Sequence, residues 1–551
     1  MRERTHHRLP KVGWRKDDWW RGAVIYQVYP RSYQDTDGDG IGDLPGITRR
    51  LEHIAGLGAD LVWISPFMKS PMKDYGYDVA DYCDVDPMFG TLDDFDRLVA
   101  RAKELGMGVM IDFVASHTSS QHAWFLESRE SRDNPKADWY VWADAKPDGS
   151  PPNNWQAVFG GPTWEWEPRR RQYYLHNFLK EQPDLNFHNP QVIAALLGAA
   201  EFWLQRGIAG IRLDAIDFGV HDPQLRDNPP RPRDAEAALN GPGNTPHDMQ
   251  RQLWNKARPE LSDLFFKPLH ALTERYGGRV LLGEISGDGA LERMAEYSDG
   301  GGLDIAYSFD LLTCPPTPSA IRGIVEAVET SLGGGWACWS FCNHDVTRAV
   351  TRFAAGGEAT TQLRAMVPIL LCSLRGTACL YQGEELGLEE AELAFEDLLD
   401  PYGITFWPNY KGRDGCRTPM PWSADDPGAG FTSSRPWLPV AAPHRPWAVD
   451  RQAGVAGSVL EQVRAFLAWR RGQEPIRRGD IRFVDAGEQV LAFTRGHGGR
   501  RILCLFNLSR EPASAAATGT VLFASAGAAI EAGSAALPPH AWLFAELPGE
   551  S

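Results

Sequence analysis

Three carboxylates stand at the ends of apolar runs, each with a neighbour that matters. Gly210-Ile-Arg-Leu-Asp214 sets Arg212 and Asp214 two residues apart. In a strand, residues i and i+2 share a face, so a guanidinium and a carboxylate project together. The cation keeps the acid ionised and aims it, as a nucleophile requires; the alternative is a structural ion pair. Leu281-Leu-Gly-Glu284 ends a second run with a carboxylate, and Asn343-His-Asp345 follows a third. Three acids facing one mouth are costly unless they serve chemistry. Two carboxyl groups about 5–5.5 Å apart across a glycosidic bond give retaining hydrolysis. Glu284, crowded by Asp214 and Asp345, would keep its proton as the acid.

A separate acidic loop, Asp35-Thr-Asp-Gly-Asp-Gly-Ile-Gly-Asp43, alternates carboxylates with glycine bends. Such a loop can wrap a hard divalent cation, calcium or magnesium, with Asp35, Asp37, Asp39, Asp43 and the Ile41 carbonyl as ligands. Position twelve is Gly46 rather than Glu, so the loop is not an EF-hand. The alternative is an Asp/Gly turn without an ion.

The elements that must position these groups follow from periodicity. Apolar runs at Ala23–Tyr29, Leu61–Ile64, Gly108–Asp112, Gly210–Asp214, Val280–Glu284, Leu303–Tyr307, Ala337–Asn343 and Thr377–Tyr381 read as eight buried strands. Helical patterns lie between them: Leu51–Leu57, a run from Thr91 with Asp94 as capping partner, and one opened by Asn189-Pro190 and running through Trp203. Strands alternating with helices predict an α/β fold, a (β/α)8 TIM barrel whose site lies at the C-terminal strand ends. The barrel is expected over 1–115 and 185–474, with an inserted subdomain over 116–184 and a long irregular insertion over about 385–457. Ser458 starts a further helix, with Glu461 as its capping-box partner. Short strands at Ile481–Val484, Val490–Thr494, Ile502–Asn507, Thr520–Phe523 and Ala541–Leu547 predict a C-terminal β-sandwich over 475–551. The Ala/Gly/Ser tracts at Ala513–Ala517 and Ala524–Ala529 are a compositional bias.

Composition narrows the partners. The net charge of −16 over 551 residues repels phosphate backbones and anionic lipid, so neither nucleic acid nor a membrane is expected. Twenty Trp residues suit stacking on sugars, although most Trp is core. The eight cysteines form no CxxC pair and are expected as buried free thiols in a reducing cytoplasm. Met1–Trp20 lacks an apolar segment, so neither signal peptide nor membrane span is expected.

These motifs resemble those of glycoside hydrolase family thirteen, the α-amylase family. The match rests on Asp112-Phe-Val-Ala-Ser-His117, Gly210–Asp214, Gly283-Glu284 and Asn343-His-Asp345. Gln182-Pro-Asp-Leu-Asn186 and Arg413-Asp-Gly-Cys-Arg-Thr-Pro-Met-Pro-Trp422 are similar to motifs of its oligo-1,6-glucosidase and α-glucosidase branch. The resemblance implies that Asp214 forms a β-glucosyl enzyme, Glu284 is acid/base and Asp345 stabilises the transition state. It further implies that His117 and His344 hydrogen-bond the sugar and that Arg212 supports the nucleophile. Asp74 and Tyr77 would hold the terminal glucose, Tyr77 as a platform, and Arg413 would close the pocket, with Arg417 as competing assignment. Core packing for Tyr77 and an exposed loop charge for Asp74 are the structural alternatives. Related enzymes carry a similar acidic loop that binds calcium or magnesium structurally; no organic cofactor is implied.

Two departures stand out. Ser116 replaces the Asn usual before the first His, and Gly376-Thr-Ala378 replaces Gly-Thr-Pro. Ala215 follows the nucleophile; in this branch Ala or Thr there accompanies α-1,4 preference and Val accompanies α-1,6. The expected activity is a retaining, exo-acting α-glucosidase on maltose, short maltooligosaccharides and possibly sucrose, with transfer to sugar or alcohol acceptors. A dedicated transglucosylase, an oligo-1,6-glucosidase, and sucrose- or trehalose-acting relatives are the alternatives. The segment His221–Met249 is expected to wall the acceptor side. A non-catalytic transporter ectodomain relative would lack the carboxylates and carry a membrane span.

Overall fold

The structure is a computed structural model that describes residues 18–232, 243, 245–256, 260–298 and 300–548. Eight parallel strands close a barrel: β1 (Val24–Val28), β2 (Leu61–Ile64), β3 (Gly108–Val114), β4 (Gly210–Asp214), β5 (Val280–Ile285), β6 (Ile305–Ser308), β7 (Ala337–Trp339) and β8 (Thr377–Tyr381). Each pairs with its sequence neighbours, and β8 closes on β1 through Val24↔Ala378 and Gln27↔Tyr381. Every strand residue is buried. The period-two alternation divides them between two cores. Ile25, Trp63, Met110, Leu282 and Tyr307 fill the barrel interior, while Val24, Val62, Ile111, Leu213 and Leu281 face the helices.

The helices begin where local chemistry lets them. In α2 (Leu92–Glu104), Thr91 and Asp94 form the reciprocal capping box, and in α3 (Pro190–Gln205) Asn189 caps through Gln191 N–H. Helix α1 (Leu44–Leu57) is about two turns longer than expected from Leu51. Pro45 and Gly46 look like breakers, but Pro sits in the first turn, where its missing N–H costs nothing. The helix between β7 and β8, α7 (Thr361–Leu371), and the last barrel helix, α8 (Val459–Arg471), follow α4 (Lys267–Arg275), α5 (Ala290–Ser298) and α6 (Pro318–Leu332). The expected capping box of α8 is only half formed. Ser458 accepts from Glu461 N–H, but the Glu461 carboxylate turns to Gly454 N–H at 2.9 Å and to Arg464 at 2.7 Å.

Residues between β3 and α3 carry a small three-stranded sheet, Trp142–Ala143, Trp164–Glu167 and Gln172–Leu175. After β8 come short helical turns, including Pro401–Phe406 and Asp414–Cys416. Beyond α8 lie two sheets: β9 (Asp480–Val484), β10 (Val490–His497), β11 (Arg500–Asn507), β13 (Thr520–Ala524) and β16 (Trp542–Glu546) in one, β12 (Ala513–Ala516), β14 (Ala529–Glu531) and β15 (Ser534–Leu537) in the other. Val490, Leu503 and Leu505 of the first pack on Ala515, Ala535 and Leu537 of the second. The second sheet was illegible because alanine, a poor strand former, supplies most of its inward positions. Strand β7 stops at Trp339, short of the expected Asn343. The chain leaves the ladder at Ser340, whose hydroxyl donates to the Cys379 carbonyl at 3.0 Å.

All eight cysteines are free; seven are buried and Cys83 is exposed. Cys83 lies on the outward face of the short strand Asp81–Val85, which corrects the expectation of burial there. Among the described residues no helix is long and apolar enough to cross a membrane.

Candidate active site

Arg212 is the centre from which the site is built. Its side chain is fully buried in the barrel mouth over the Trp63 ring, at 5.0 Å. Nη1 donates to Asp112 Oδ1 at 2.8 Å and to Asp214 Oδ1 at 2.5 Å; Nη2 donates to Glu284 Oε2 at 2.6 Å. One guanidinium thus gathers carboxylates from β3, β4 and β5. Gly283 pairs with Leu213, so Glu284 and Asp214 stand level on adjacent strands, whose spacing is about 4.8 Å.

A single cation cannot neutralise three buried acids, so protons must remain. Burial, opposed by Arg212 and reinforced by Asp214 and Asp345, lifts Glu284 to about 8. Burial, opposed by Arg212 and reinforced by Asp112, lifts Asp214 to about 7. Glu284 therefore holds the proton more tightly of the two. Its Oε2 accepts from both Arg212 and the Ala215 N–H, the latter at 2.7 Å. An oxygen accepting two donors is a poor place for a proton, which leaves Oε1 as the oxygen free to carry one. The second donor exists because Ala215 turns into the left-handed region, at φ 39° and ψ 37°.

Asp345 behaves in the opposite sense. Burial alone would raise it, but His344, Arg413 and Arg417 overcome burial and hold it well below the usual carboxylate range. Arg417 Nη2 and Arg413 Nη1 reach Asp345 Oδ1 at 2.8 and 3.1 Å. Arg413 also binds Asp74 Oδ1 at 3.1 Å and Asp400 Oδ1 at 2.8 Å, and so ties one end of the pocket together. Asp74 is buried, not an exposed charge. Burial raises it to about 6 against the pull of Arg413, and Gln182 Nε2 donates to its other oxygen at 3.2 Å.

These groups line a pocket of about 800 Å³ that includes its open mouth. Asp74, Tyr77, His117, Asp214, Glu284, Asp345 and Arg413 lie on its wall. Arg212, His344 and Arg417 stand behind it. His344 stacks on Tyr77 at 5.5 Å between ring centroids and 7° between planes, and bonds to Tyr77 Oη and, at 2.7 Å, to Gln27 Nε2. It packs behind Tyr77 in this structure. Burial lowers His117 to about 4 and His344 to about 3, so both are neutral imidazoles. Ser116 keeps a link to the first histidine, with its hydroxyl 3.0 Å from His117 Nδ1.

The wall includes residues that the sequence reading passed over. Phe159 and Phe178 come from the insertion after β3, Phe218 from the turn after β4, and Tyr402 and Tyr410 from the segment after β8. Their rings form an arc, with centroid separations of 4.9 Å for Tyr402–Tyr410, 5.1 Å for Phe159–Tyr402 and 5.9 Å for Phe159–Phe178. Asp400 was equally silent: an acid in an aperiodic insertion has no partner until Arg413 folds against it. Of the segment His221–Met249, residues 233–242 and 244 lie outside the described residues; none of its described residues lines the pocket.

The acidic loop brings Asp35, Asp37 and Asp39 together, one ligand atom of each lying within 4.8 Å of the others. Burial, and after it the charges of Asp37 and Asp35, raises Asp39. Burial would raise Asp35, but hydrogen bonds from Thr432 and from the Gly38, Gly40 and Asp37 N–H groups overcome it and lower Asp35. The three carboxylates still offer hard oxygen donors that fit a hard divalent cation. Asp43 is occupied otherwise. Its oxygens accept from Thr36 N–H at 2.8 Å and from Gly46 N–H at 2.6 Å, which caps α1.

Comparison with known proteins finds relatives along nearly the whole chain. The model of the alpha amylase catalytic domain matches residues 27–479, and a domain of unknown function (DUF3459) matches 478–544. A "Probable alpha-glucosidase" of Rhizobium meliloti (strain 1021) is 54% identical over 501 residues, covering 90% of each chain. An oligo-1,6-glucosidase of Parageobacillus thermoglucosidasius is 32% identical over 522 residues, covering 90% of this chain and 91% of its own. A solved α-glucosyl transfer enzyme, XgtA, superposes with a TM-score of 0.93 at 54% identity, over 97% of this chain and all of its own.

Proposed function

The chain belongs to the α-amylase family and is an α-glucosidase-like glycoside hydrolase, and from that premise we propose that it is a retaining, exo-acting α-glucosidase that also transfers glucose to alcohols. The observation that carries this is Arg212 holding Asp214 and Glu284 level on neighbouring strands. That placement favours a pair about 5–5.5 Å apart over the wider spacing of inverting enzymes.

In this reading Asp214 attacks the anomeric carbon while Glu284 gives its Oε1 proton to the leaving oxygen. Esterification removes the Asp214 charge that helps to raise Glu284. Glu284 then becomes the stronger acid and serves as base toward the incoming hydroxyl. Asp345, held ionised, stabilises the oxocarbenium-like transition state. The Asp74–Arg413 bridge closes the pocket around one terminal glucose, with Tyr77 as platform, which supports exo action. Ala215 on the wall supports α-1,4 bonds of maltose type; sucrose is a further candidate donor. The aromatic arc at the mouth favours a second reading, in which transfer outruns hydrolysis, because rings stack on an organic acceptor and displace water.

The experiment is incubation with maltose, isomaltose and sucrose, with and without an alcohol, following products and anomers. α-Glucose first, and faster turnover of maltose, are expected. β-Glucose as first product would sink retention, and faster isomaltose cleavage would sink the α-1,4 assignment.

We also propose that Asp35, Asp37, Asp39 and the Ile41 carbonyl hold a structural calcium or magnesium ion, with Asp43 joining by sharing an oxygen with its helix cap. Chelation should lower Tm, and calcium or magnesium should restore it; an unchanged Tm refutes the ion. Free thiols throughout support a reducing, cytoplasmic setting.

A further inference from the structure

Beside this site lies a buried ammonium. Lys256 is 1% exposed and its Nζ has no hydrogen-bond partner among the described residues. The nearest carboxylate oxygen, Asp217 Oδ2, is 3.9 Å away, and Nζ stands 4.3 Å from the centre of the Phe218 ring. Asp217 does not need this cation. Arg293 reaches its two oxygens from Nε and Nη2, both at 3.2 Å, and Ser286 N–H donates to Oδ2 at 3.0 Å. A buried cation held only by a 3.9 Å ion pair and a ring face, with no hydrogen bond among the described residues, opposes folding. One that its neighbours do not require is retained at the expense of stability, as groups at functional sites often are.

The location supplies the use. Phe218 and Ser286 both line the pocket beside Glu284, one following β4 and the other β5. Asp217 joins the two segments, and Arg293 Nη2 also holds the Ser286 carbonyl at 2.8 Å. Phe218 meets Phe178 edge to face at 5.1 Å, so this wall continues into the aromatic arc.

We infer that Lys256 is a positioning residue of the acceptor side: its ammonium holds the Phe218 ring against the Asp217–Arg293–Ser286 network, and this wall sets how often the glucosyl enzyme is captured by an alcohol instead of water. The inference rests on the retaining reading. In the step concerned, the acceptor oxygen bonds to the anomeric carbon as the Asp214 ester bond breaks. The bonding pair returns to the Asp214 carboxylate, and the acceptor proton passes to Glu284. Lys256 touches none of these atoms; it places the wall along which the acceptor arrives.

The test uses Lys256→Met in the full chain, with maltose as donor and 1-butanol as acceptor, reading butyl glucoside formed per glucose released by hydrolysis. That ratio is independent of the concentration of active enzyme. It should fall by about ten-fold, the order expected when a reacting group is modestly misplaced, with a higher KM for butanol. Tm should rise, because a desolvated charge is gone; a purely structural counter-ion would lower it. Phe218→Leu, which keeps the ammonium and removes its ring, should lower the ratio in the same direction. An unchanged ratio in either variant, or a Lys256→Met chain that fails to fold, overturns the inference while leaving the retaining reading standing. A parent enzyme that makes no butyl glucoside overturns the inference and the transfer to alcohols, while retention stands or falls by the anomer of the first product.

Discussion

At the scale of single residues, the site is a problem in proton inventory. On the proposed mechanism Glu284 must carry a proton to act as acid, so activity should fall as pH rises through about 8. On the same mechanism Asp214 must be ionised to attack, so activity should fall as pH drops through about 7. The expected pH profile of kcat/KM on maltose is a narrow bell between these limits. The two acids share Arg212, so the limbs belong to the pair and not to either alone. A broad plateau from pH 5 to 9 would contradict the assignment. Asp214→Asn should cost several orders of magnitude in kcat with the circular dichroism spectrum unchanged; retained turnover would remove Asp214 from the mechanism. The carboxylates were legible because each ends an apolar strand. Asp400 and the aromatic arc were not, since their partners lie in other insertions and no spacing in the chain connects them.

At the scale of elements, the turn after β4 connects specificity with backbone strain. Ala215 lies at φ 39°, where a β-branched residue is a genuine outlier. Ala215→Val should therefore destabilise by about 1–2 kcal/mol and disturb the N–H that Ala215 donates to Glu284. On the specificity reading it should also lower the maltose-to-isomaltose rate ratio. Thermal melts and the two substrate rates check both parts. An unchanged Tm would mean that the turn relaxes at no cost, and an unchanged ratio would detach position 215 from linkage choice. The eight strands were readable because buried parallel strands are continuous apolar runs. The first turn of α1 was hidden by Pro45-Gly46. The acidic loop shows the same ambiguity: Asp43 fits a ligand pattern, yet its observed bonds cap a helix. A carboxylate before Leu-Pro reads equally well either way until the chain is folded.

At the scale of the whole molecule, the order of motifs along the chain foretold barrel and sandwich, but not what joins them. One buried arginine of the sandwich spans that joint, and a second lies beside it on the barrel side. Arg495, on β10, donates to the Ser373, Gly479 and Asp480 carbonyls at 2.6, 3.0 and 3.0 Å. Arg470, on α8, donates to Cys372 at 2.7 Å and Gly22 at 3.0 Å. Cys372 and Ser373 end helix α7, whose last carbonyls lack partners within the helix; cations there also suit the helix dipole. Nothing in the sequence pairs Arg495 with Ser373, 122 residues away, or Arg470 with Gly22, 448 residues away. Replacing Arg495 with Met leaves three inward carbonyls without this donor, which should cost on the order of 3 kcal/mol. The seam lies at the end of α7 that leads into the start of β8, and the pocket lies at the opposite ends of the strands. Arg495→Met should therefore lower Tm by several degrees while leaving kcat on maltose at 25 °C within about two-fold, as expected for distant, independent sites. Loss of kcat at unchanged Tm would show instead that the sandwich communicates with the catalytic mouth through the barrel.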